Sequence, residues 1–259
     1  MQMFTATMIF IFGLIFGSFY NVVGYRVPNN LSIMFPPSHC PNCDHKLKFY
    51  ELIPVFSFIF LRGKCKSCKN KISFCYPIFE LITGFLFLVS YLVFGLSMEF
   101  VIAITFISIL IIITISDIKY FIIPDEVLIV GLILLVIEFI INAYITDASL
   151  VNELLIPLLK GSASFSMLYL FKVMGDFLFK KESMGGGDIK LLFLIGFVLG
   201  FSSSILVIFI ASFIALPLSI IMLIRKNTNV IPFGPYLSLA AVIILLTKFD
   251  INAFMLMIN

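Results

Sequence analysis

The sequence predicts an all-α polytopic membrane protein with about eight transmembrane helices and a small cytoplasmic zinc-binding loop domain between the first two. Of its 259 residues, 61% are hydrophobic and only 12% are charged. The mean hydropathy of +1.17 lies far above the range of ordinary soluble domains. Apolar runs of about 20 residues, enough to cross a bilayer core, recur along the whole chain except near residues 26–75.

Eight apolar runs account for the predicted spans. They are expected at about residues 3–23, 76–95, 99–116, 127–145, 154–174, 189–201, 204–224 and from Pro235 onward, with Lys248 and Asp250 near the outer end of the last. The first run is interpreted as a helix and not as a signal peptide, because no small-residue cleavage site follows it. The sixth run is short, and the apolar tail 251–259 has no assigned position.

The positions of lysine and arginine predict the orientation of the spans. The polar segment carries Arg26, Lys46, Lys48, Arg62, Lys64, Lys66, Lys69 and Lys71. Such a concentration of positive charge is typical of a cytoplasmic loop. Alternation from that loop leaves only Lys160 and Lys248 of the 17 basic residues outside the inner loops. Because the net charge is only +3 and the basic residues are dispersed, no nucleic-acid partner is expected.

We therefore expect three parts in the chain. Residues 1–25 form the first transmembrane helix, residues 26–75 form the cytoplasmic cysteine domain, and residues 76–259 form a helical membrane domain that contains Asp117 and Asp188.

Four cysteines predict a structural zinc site in the polar domain. Cys40 and Cys43 form one CxxC pair, and Cys65 and Cys68 form a second. Four thiolates provide the tetrahedral coordination that Zn²⁺ prefers. Two disulfides or a redox-active CxxC are the alternatives, and a reducing cytoplasm disfavours the first. The fifth cysteine, Cys75, is expected to be a small buried apolar residue.

Two histidines, His39 and His45, flank the first CxxC pair. Either side chain could replace a thiolate in the metal shell. Because four cysteines already fill a tetrahedral shell, both histidines are interpreted as surface residues.

A glycine run next to an acid predicts a reactive site. Gly185, Gly186 and Gly187 precede Asp188, and a backbone without Cβ atoms lets a substrate approach the carboxylate closely. Asp117 follows the third apolar run and is expected at the same, inner face of the membrane. Acids near the hydrocarbon region are by default candidates for function. The alternative is that Asp188 only caps a helix.

Three other acids are weaker candidates. Asp125 lies in the same loop as Asp117, but Pro124 before it and an acid after it form an ordinary helix start, which favours a capping role. Glu80 is expected to face the cytoplasmic vestibule, and Glu138 a polar interior. No spacing argument supports a role for either glutamate.

Paired carboxylates favour aspartyl protease chemistry. Two neighbouring acids share a proton, so that one can act as base on a bridging water while the other protonates a peptide carbonyl. A proton-coupled membrane transporter and a membrane scaffold with a zinc module are the alternatives. The transporter hypothesis is weakened because both acids are expected at one face, with no acid pathway across the membrane.

The chain resembles the type IV prepilin peptidases over almost its full length. The resemblance is carried by Gly17-Ser18-Phe19-Tyr20-Asn21-Val22-Val23, Tyr25-Arg26-Val27-Pro28, the two CxxC pairs, Arg62-Gly63-Lys64-Cys65, Tyr76-Pro77, Glu80-Leu81, Asp117, Ile123-Pro124-Asp125, Gly185-Gly186-Gly187-Asp188-Ile189-Lys190 and Pro232-Phe233-Gly234-Pro235. This resemblance implies a GxGD aspartyl protease of the plasma (inner) membrane, with Asp117 and Asp188 as its catalytic pair and its active site facing the cytoplasm.

The same resemblance implies the substrates and a second activity. Prepilins or pseudopilins of pili, secretion or competence systems would lose a short basic leader. The cysteine domain implies N-methylation of the new terminus with S-adenosylmethionine. No glycine-rich turn of a dinucleotide-binding type indicates a cofactor site. The residues that bind S-adenosylmethionine, the particular pilin and the oligomeric state stay open.

Overall fold

Helices make up the regular structure of the described part of the chain. The computed structural model describes residues 2–182, 184–224 and 231–249. The helices are α1 Gln2–Arg26, α2 Phe56–Phe60, α3 Cys75–Phe94, α4 Met98–Tyr120, α5 Asp125–Ile145, α6 Ile156–Phe179, α7 Gly186–Leu199, α8 Phe201–Ile224 and α9 Gly234–Thr247. Short 3₁₀ turns lie at Val27–Asn29 and Phe49–Glu51, and a π-helical turn at Val151–Leu155 leads directly into α6.

Six helical segments of the described chain are long and apolar enough to cross a membrane. They are Gln2–Asn29, Cys75–Phe94, Met98–Tyr120, Asp125–Ile145, Val151–Phe179 and Phe201–Ile221. The remaining predicted spans correspond to α7 and α9, which have 14 residues each. Helices of this length extend about 21 Å and are shorter than the hydrocarbon core. The multi-pass membrane class is therefore confirmed, with six helices of spanning length where about eight spans were expected.

Two compact units divide the chain, Met1–Phe100 and Val101–Asn259. In the first unit, α1 packs closely along α3 because glycines face the contact. A Cβ at Gly17 would lie 2.8 Å from the Cα of Glu80, and one at Gly13 would lie 2.7 Å from the Cα of Gly84. Small residues let two apolar helices approach this closely, and the packing contacts then hold them together.

The polar segment of the first unit folds into two tight turns, one around each CxxC pair. In the first turn, the Cys40 N–H donates to the His45 carbonyl and the Asp44 N–H donates to the Cys40 carbonyl. In the second, the Cys65 N–H donates to the Asn70 carbonyl and the Lys69 N–H to the Cys65 carbonyl. The matching hydrogen bonds give each pair of thiols the same local geometry.

The second unit has α7 at its core. Leu191, Leu192, Ile195 and Phe197 are each at most 1% exposed. Helix α7 contacts α5, α6, α8 and α9. A helix that is apolar on all sides is normally surrounded by other helices. This environment explains why α7 carries a strong apolar pattern although it is short.

Helix α4 extends beyond the apolar run that predicted it. The run was expected to end at residue 116, whereas the helix continues to Tyr120 and so includes Asp117 in its last turn. Phe121 then takes a positive φ of 57°, and its N–H donates to the Asp117 carbonyl at 2.9 Å. The predicted inner loop at Arg225 and Lys226, together with Asp250 and the tail 251–259, lies outside the described residues.

Candidate active site and metal centre

Asp117 is held in a buried position between two helix ends. It lies in the last turn of α4 and is only 5% exposed. Its Oδ2 atom accepts a hydrogen bond from the backbone N–H of Gly234, the first residue of α9, at 3.0 Å. A Cβ at position 234 would lie 2.7 Å from that same oxygen. Only glycine therefore allows α9 to begin this close to the carboxylate.

Asp188 lies in the first turn of α7 and is 8% exposed. A Cβ on Gly185 would lie 3.4 Å from Asp188 Oδ2, at the edge of ordinary contact. A carboxylate in the first turn is favoured by the helix dipole. The carboxyl groups of Asp188 and Asp117 are close enough to interact electrostatically. The structure thus brings together the two acids that the sequence singled out, although 70 intervening residues separate them in the chain.

The loop between α4 and α5 packs directly against the glycine run. A Cβ on Gly187 would lie 2.8 Å from the Cβ of Ile123, whereas one on Gly186 would meet nothing within 4 Å. Ile123 also approaches Gly234, where its Cδ1 would lie 3.2 Å from an added Cβ. The Ser116 hydroxyl donates to the Ile122 carbonyl at 2.6 Å and so braces this loop. Ile123 therefore contacts the backbone of both elements that flank the two acids.

The sequence favoured a capping role for Asp125, but the side chain of Asp125 does not cap α5. Pro124 occupies the N-cap position, and no side chain caps this helix end. Both carboxylate oxygens of Asp125 instead lie 2.7 Å from Lys190 Nζ, on the second turn of α7. About half of each side chain is exposed, at 55% for Asp125 and 50% for Lys190. The capping interpretation missed this ion pair because the partner is 65 residues away.

The arrangement of the two buried acids suits general acid–base chemistry on one water molecule. Neighbouring carboxyl groups in a poorly solvated site do not readily ionise together, so they share a proton. The ionised partner can then take a proton from water while the neutral partner donates one to a carbonyl oxygen.

The contact between Gly234 and Asp117 was not predicted from the sequence. The Pro232–Pro235 stretch is one of those that carry the family resemblance, but no pattern in it gives Gly234 a role. No spacing rule links Gly234 to Asp117.

The four CxxC cysteines converge on one point in the first unit. All four Sγ atoms lie within 4.8 Å of one another, with Cys40 and Cys68 at 3.8 Å and Cys43 and Cys65 at 3.9 Å. A tetrahedral zinc site with Zn–S bonds of about 2.3 Å has S···S edges of about 3.8 Å. All four are free thiols, so the alternative of two disulfides has no support. Backbone hydrogen bonds from Cys68 and Ser67 lower the pKa of Cys65 to about 6, which favours its thiolate. The Asn70 N–H acts to lower the pKa of Cys68, but burial and the neighbouring thiols raise it to about 11.

The residues next to the cysteine cluster have other partners. His45 Nε2 lies 3.2 Å from Glu51 Oε2, which also accepts the Lys48 N–H at 2.8 Å. Burial would raise the pKa of Glu51, but these two contacts lower it below its usual value. His39 Nδ1 lies 3.0 Å from the Pro37 carbonyl. Because both histidines are engaged elsewhere, neither is required as a metal ligand.

Cys75 was expected to be buried, and this prediction is wrong, since it is exposed at the start of α3. Its apolar neighbours in the sequence do not indicate which side of the helix faces outward.

Both glutamates within the apolar helices have hydrogen-bond donors. Glu80 is 7% exposed, and its Oε2 accepts the Val55 N–H at 2.7 Å. Glu138 Oε1 accepts the Thr105 hydroxyl at 2.6 Å. Glu80 is thus buried beneath the polar loop of the first unit and does not face an open vestibule.

Two family models match the chain. Residues 11–94 match the bacterial Peptidase A24 N-terminal domain, and residues 104–220 match the type IV leader peptidase family. The first match contains the four-cysteine cluster, and the second contains Asp117 and Asp188.

Similar curated proteins agree with these matches. The chain is 43% identical over 197 residues to the prepilin leader peptidase/N-methyltransferase of Bacillus subtilis (strain 168), covering 75% of this chain and 73% of the relative. It is 33% identical to that of Neisseria gonorrhoeae, covering 90% and 87%, and 32% identical to that of Stutzerimonas stutzeri, covering 94% and 91%. No solved structure matches the chain. By these similarities the chain belongs to the type IV leader peptidase family.

Proposed function

We propose that this protein is a membrane aspartic endopeptidase that removes the leader of type IV prepilins or pseudopilins and N-methylates the new terminus. The observation that carries the proposal is the convergence of Asp117 and Asp188, both buried, beside the glycines that begin α7 and α9. The relatives in B. subtilis and N. gonorrhoeae are named for both activities. Family membership does not favour the transporter and scaffold alternatives.

Each acid has a distinct role in the proposed cleavage. Asp117 accepts the Gly234 N–H, and a donated hydrogen bond favours the ionised form of a carboxyl group. We therefore assign Asp117 as the base that takes a proton from water. As Asp117 takes that proton, the water oxygen bonds to the carbonyl carbon of the scissile peptide bond, and Asp188 donates its proton to the carbonyl oxygen. The product of this step is a tetrahedral intermediate with two hydroxyl groups on that carbon. Collapse of that intermediate breaks the C–N bond, and the new amine leaves with a proton returned through the pair.

The glycine run lets the substrate reach this pair. Gly186 is exposed and has no neighbour that a Cβ would meet within 4 Å. The open space beside Gly186 leaves room for an extended peptide to place its carbonyl carbon near the shared water, and a single methyl group at this position would fill little of that space. Ile123, held against Gly187, limits the space on the other side of α7.

The proposed topology places the pair at the cytoplasmic face of the plasma membrane. The large majority of the 17 basic residues lie in the loops assigned to that side, and Lys119 follows Asp117 by two positions. Helices α7 and α9 complete about eight membrane segments in this proposal. They can be short because their N-termini begin at the site, below the membrane surface, and α7 is surrounded by other helices.

Zinc and S-adenosylmethionine complete the proposed chemistry. Cys40, Cys43, Cys65 and Cys68 would hold a structural Zn²⁺ ion that fixes the polar loop of the first unit, as such ions do in small domains with little core. S-adenosylmethionine would supply the methyl group. Prepilins or pseudopilins and the lipid bilayer are the proposed partners.

The proposal is tested by incubating the purified protein in detergent with a prepilin, with and without S-adenosylmethionine, and measuring the product mass. We expect loss of the leader in both samples and an added methyl group only with S-adenosylmethionine. Asp117→Asn and Asp188→Asn should each reduce cleavage to a residual rate, at least about 10³-fold below that of the wild type, while the protein still inserts. An intact prepilin after incubation with the wild-type protein would refute the peptidase assignment.

A further inference from the structure

Glu80 is a buried acid with no cationic partner among the residues that the structure describes. It lies six residues into α3 and is 7% exposed. Its carboxyl group accepts hydrogen bonds from the Val55 N–H and from the side chain of Ser18. Neither the His45–Glu51 ion pair nor the Lys190–Asp125 ion pair includes Glu80. An ionised acid at such depth costs several kcal/mol unless a positive charge accompanies it.

A buried acceptor without a donor lies on the helix α1 that packs against this acid. Asn21 is 1% exposed, and its Nδ2 donates to the carbonyls of Gly17 and Tyr76 at 3.1 and 3.2 Å. These two bonds fix the amide orientation and leave the buried Oδ1 without a donor. An orphaned buried acceptor costs about 1–3 kcal/mol. A ligand that donates hydrogen bonds would remove this cost.

Helix geometry places the two acceptors on one contact face. Ser18 and Asn21 are three residues apart on α1, and Tyr76 and Glu80 are four apart on α3, so each pair shares one side of its helix. Ser18 contacts Glu80, and Asn21 contacts Tyr76. The positions at which Asn21 and Ser18 contact α3 are therefore about one helical turn apart, roughly 5 Å along the axis.

The backbone of the loop that contacts Glu80 is strained at Val55. Val55 has φ 62° and ψ −51°, a conformation that is unfavourable for a β-branched residue. The Phe56 N–H closes a tight turn onto the Pro54 carbonyl at 2.6 Å. Such strain costs on the order of 1–3 kcal/mol and is found mainly at functional sites. Here one backbone N–H points at Glu80, and together with the Ser18 side chain it fills two of the roughly four acceptor positions of an ionised carboxylate.

We propose that Glu80 and Asn21 bind the α-amino group that leader cleavage exposes and prepare it for methylation. This inference rests on the proposed function and deepens it by assigning the amine site. An α-ammonium group brings one positive charge and three donors, which match the carboxylate and the orphaned oxygen. Glu80 takes one proton from the ammonium group. The freed nitrogen lone pair then forms the N–C bond to the methyl group as the C–S bond of S-adenosylmethionine breaks and S-adenosylhomocysteine leaves.

The test uses the purified full-length protein and the variant Glu80→Gln. Glutamine keeps an oxygen that can accept the Val55 N–H, so the loop contact is retained while the negative charge is lost. The probe is a peptide with the sequence of a mature pilin N-terminus, compared at pH 7 with the same peptide after N-acetylation. For the wild type we expect at least about tenfold tighter binding of the free amine, since one charge-assisted hydrogen bond accounts for that factor.

In Glu80→Gln the preference for the free amine should disappear, and methylation should fall by about 10²-fold or more. Cleavage of the prepilin should stay within about threefold, which also shows that the protein is folded. Glu80→Asp keeps the charge and should retain part of the amine preference. The control is Glu138→Gln, a second acid in an apolar helix with one hydroxyl donor. In this control, the ratio of the dissociation constants of the acetylated and free-amine peptides should not change, and neither should the methylation rate.

Three results would overturn the proposal. They are equal binding of the two peptides to the wild type, normal methylation by Glu80→Gln, and a loss of S-adenosylmethionine binding in that variant with no change in peptide preference. The last result would mean that the cation at Glu80 is the sulfonium of the methyl donor. A wild-type protein that cleaves but never methylates would refute the proposed second activity instead, while the binding comparison would still test the amine site.

Discussion

The contact between Gly187 and Ile123 makes a quantitative prediction about the glycine run. In Gly187→Ala the new Cβ would lie 2.8 Å from the Ile123 Cβ, whereas ordinary contact begins at 3.4 Å. The start of α7 must therefore move away from the loop by about 0.6 Å or more, because a Cβ atom cannot swing aside as the end of a long side chain can. Asp188 follows Gly187 directly and moves with it. A misplacement approaching 1 Å in a reacting group costs about 10²-fold in rate.

The matched control is Gly186→Ala. Its new Cβ would meet nothing within 4 Å, so the backbone has no reason to move. Alanine is also favoured over glycine in a helix by up to about 1 kcal/mol, so the variant should be at least as stable as the wild type. The assay measures the initial rate of leader removal for both variants in the same detergent, with the thermal midpoint as a check on folding. We expect a loss of about 10²-fold for Gly187→Ala and a change below about threefold for Gly186→Ala.

Either of two outcomes would refute this reasoning. The first is a Gly187→Ala variant that keeps more than half of the wild-type rate, which would show that the Ile123 contact does not position Asp188. The second is an equal loss in both variants, which would show that the glycines serve only the flexibility or accessibility of the backbone.

Three further predictions concern the surroundings of the pair and the metal centre. Gly234→Ala should lower the cleavage rate by about 10²-fold, because the new Cβ would lie 2.7 Å from Asp117 Oδ2 and would push the carboxylate out of position. An unchanged rate would show that Gly234 does not position Asp117. Elemental analysis should find about one zinc ion per chain in the wild type and none in Cys40→Ser. A reduced and intact wild-type protein that contains no metal would contradict the zinc assignment. Asp125→Asn removes an exposed ion pair with Lys190, so the free energy of unfolding should change by less than about 1 kcal/mol and cleavage should persist. Complete loss of cleavage would make Asp125 the better candidate for the first catalytic acid.

Hydropathy predicted the membrane class well but not the ends of the helices. Apolar runs report where the chain contacts lipid, whereas a helix continues as long as its backbone hydrogen bonds do. This difference places Asp117 inside the last turn of α4 and not after it. The same limit applies to α7 and α9, since a 14-residue apolar helix can be buried by its neighbours without spanning the bilayer.

Local spacing predicted the metal centre because its chemistry is local. Two residues between cysteines bring both thiols of a pair to one turn, and four thiols converge as expected. The contacts that position the acids are not local in this sense. The Gly234 N–H reaches Asp117 across 117 residues, and Lys190 reaches Asp125 across 65. No periodicity in one sequence encodes such pairs, so only the tertiary structure reveals them.

The most direct test of the central claim, that Asp117 and Asp188 act together on one water molecule, is a double-mutant cycle on leader cleavage. The initial rates of the wild type, Asp117→Asn, Asp188→Asn and the double variant are measured with one prepilin at saturating concentration. Residues that act as a unit are strongly non-additive, so the double variant should be no slower than the slower single variant within about threefold. Normal cleavage by either single variant, or a double variant whose loss equals the product of the two single losses, would contradict the claim.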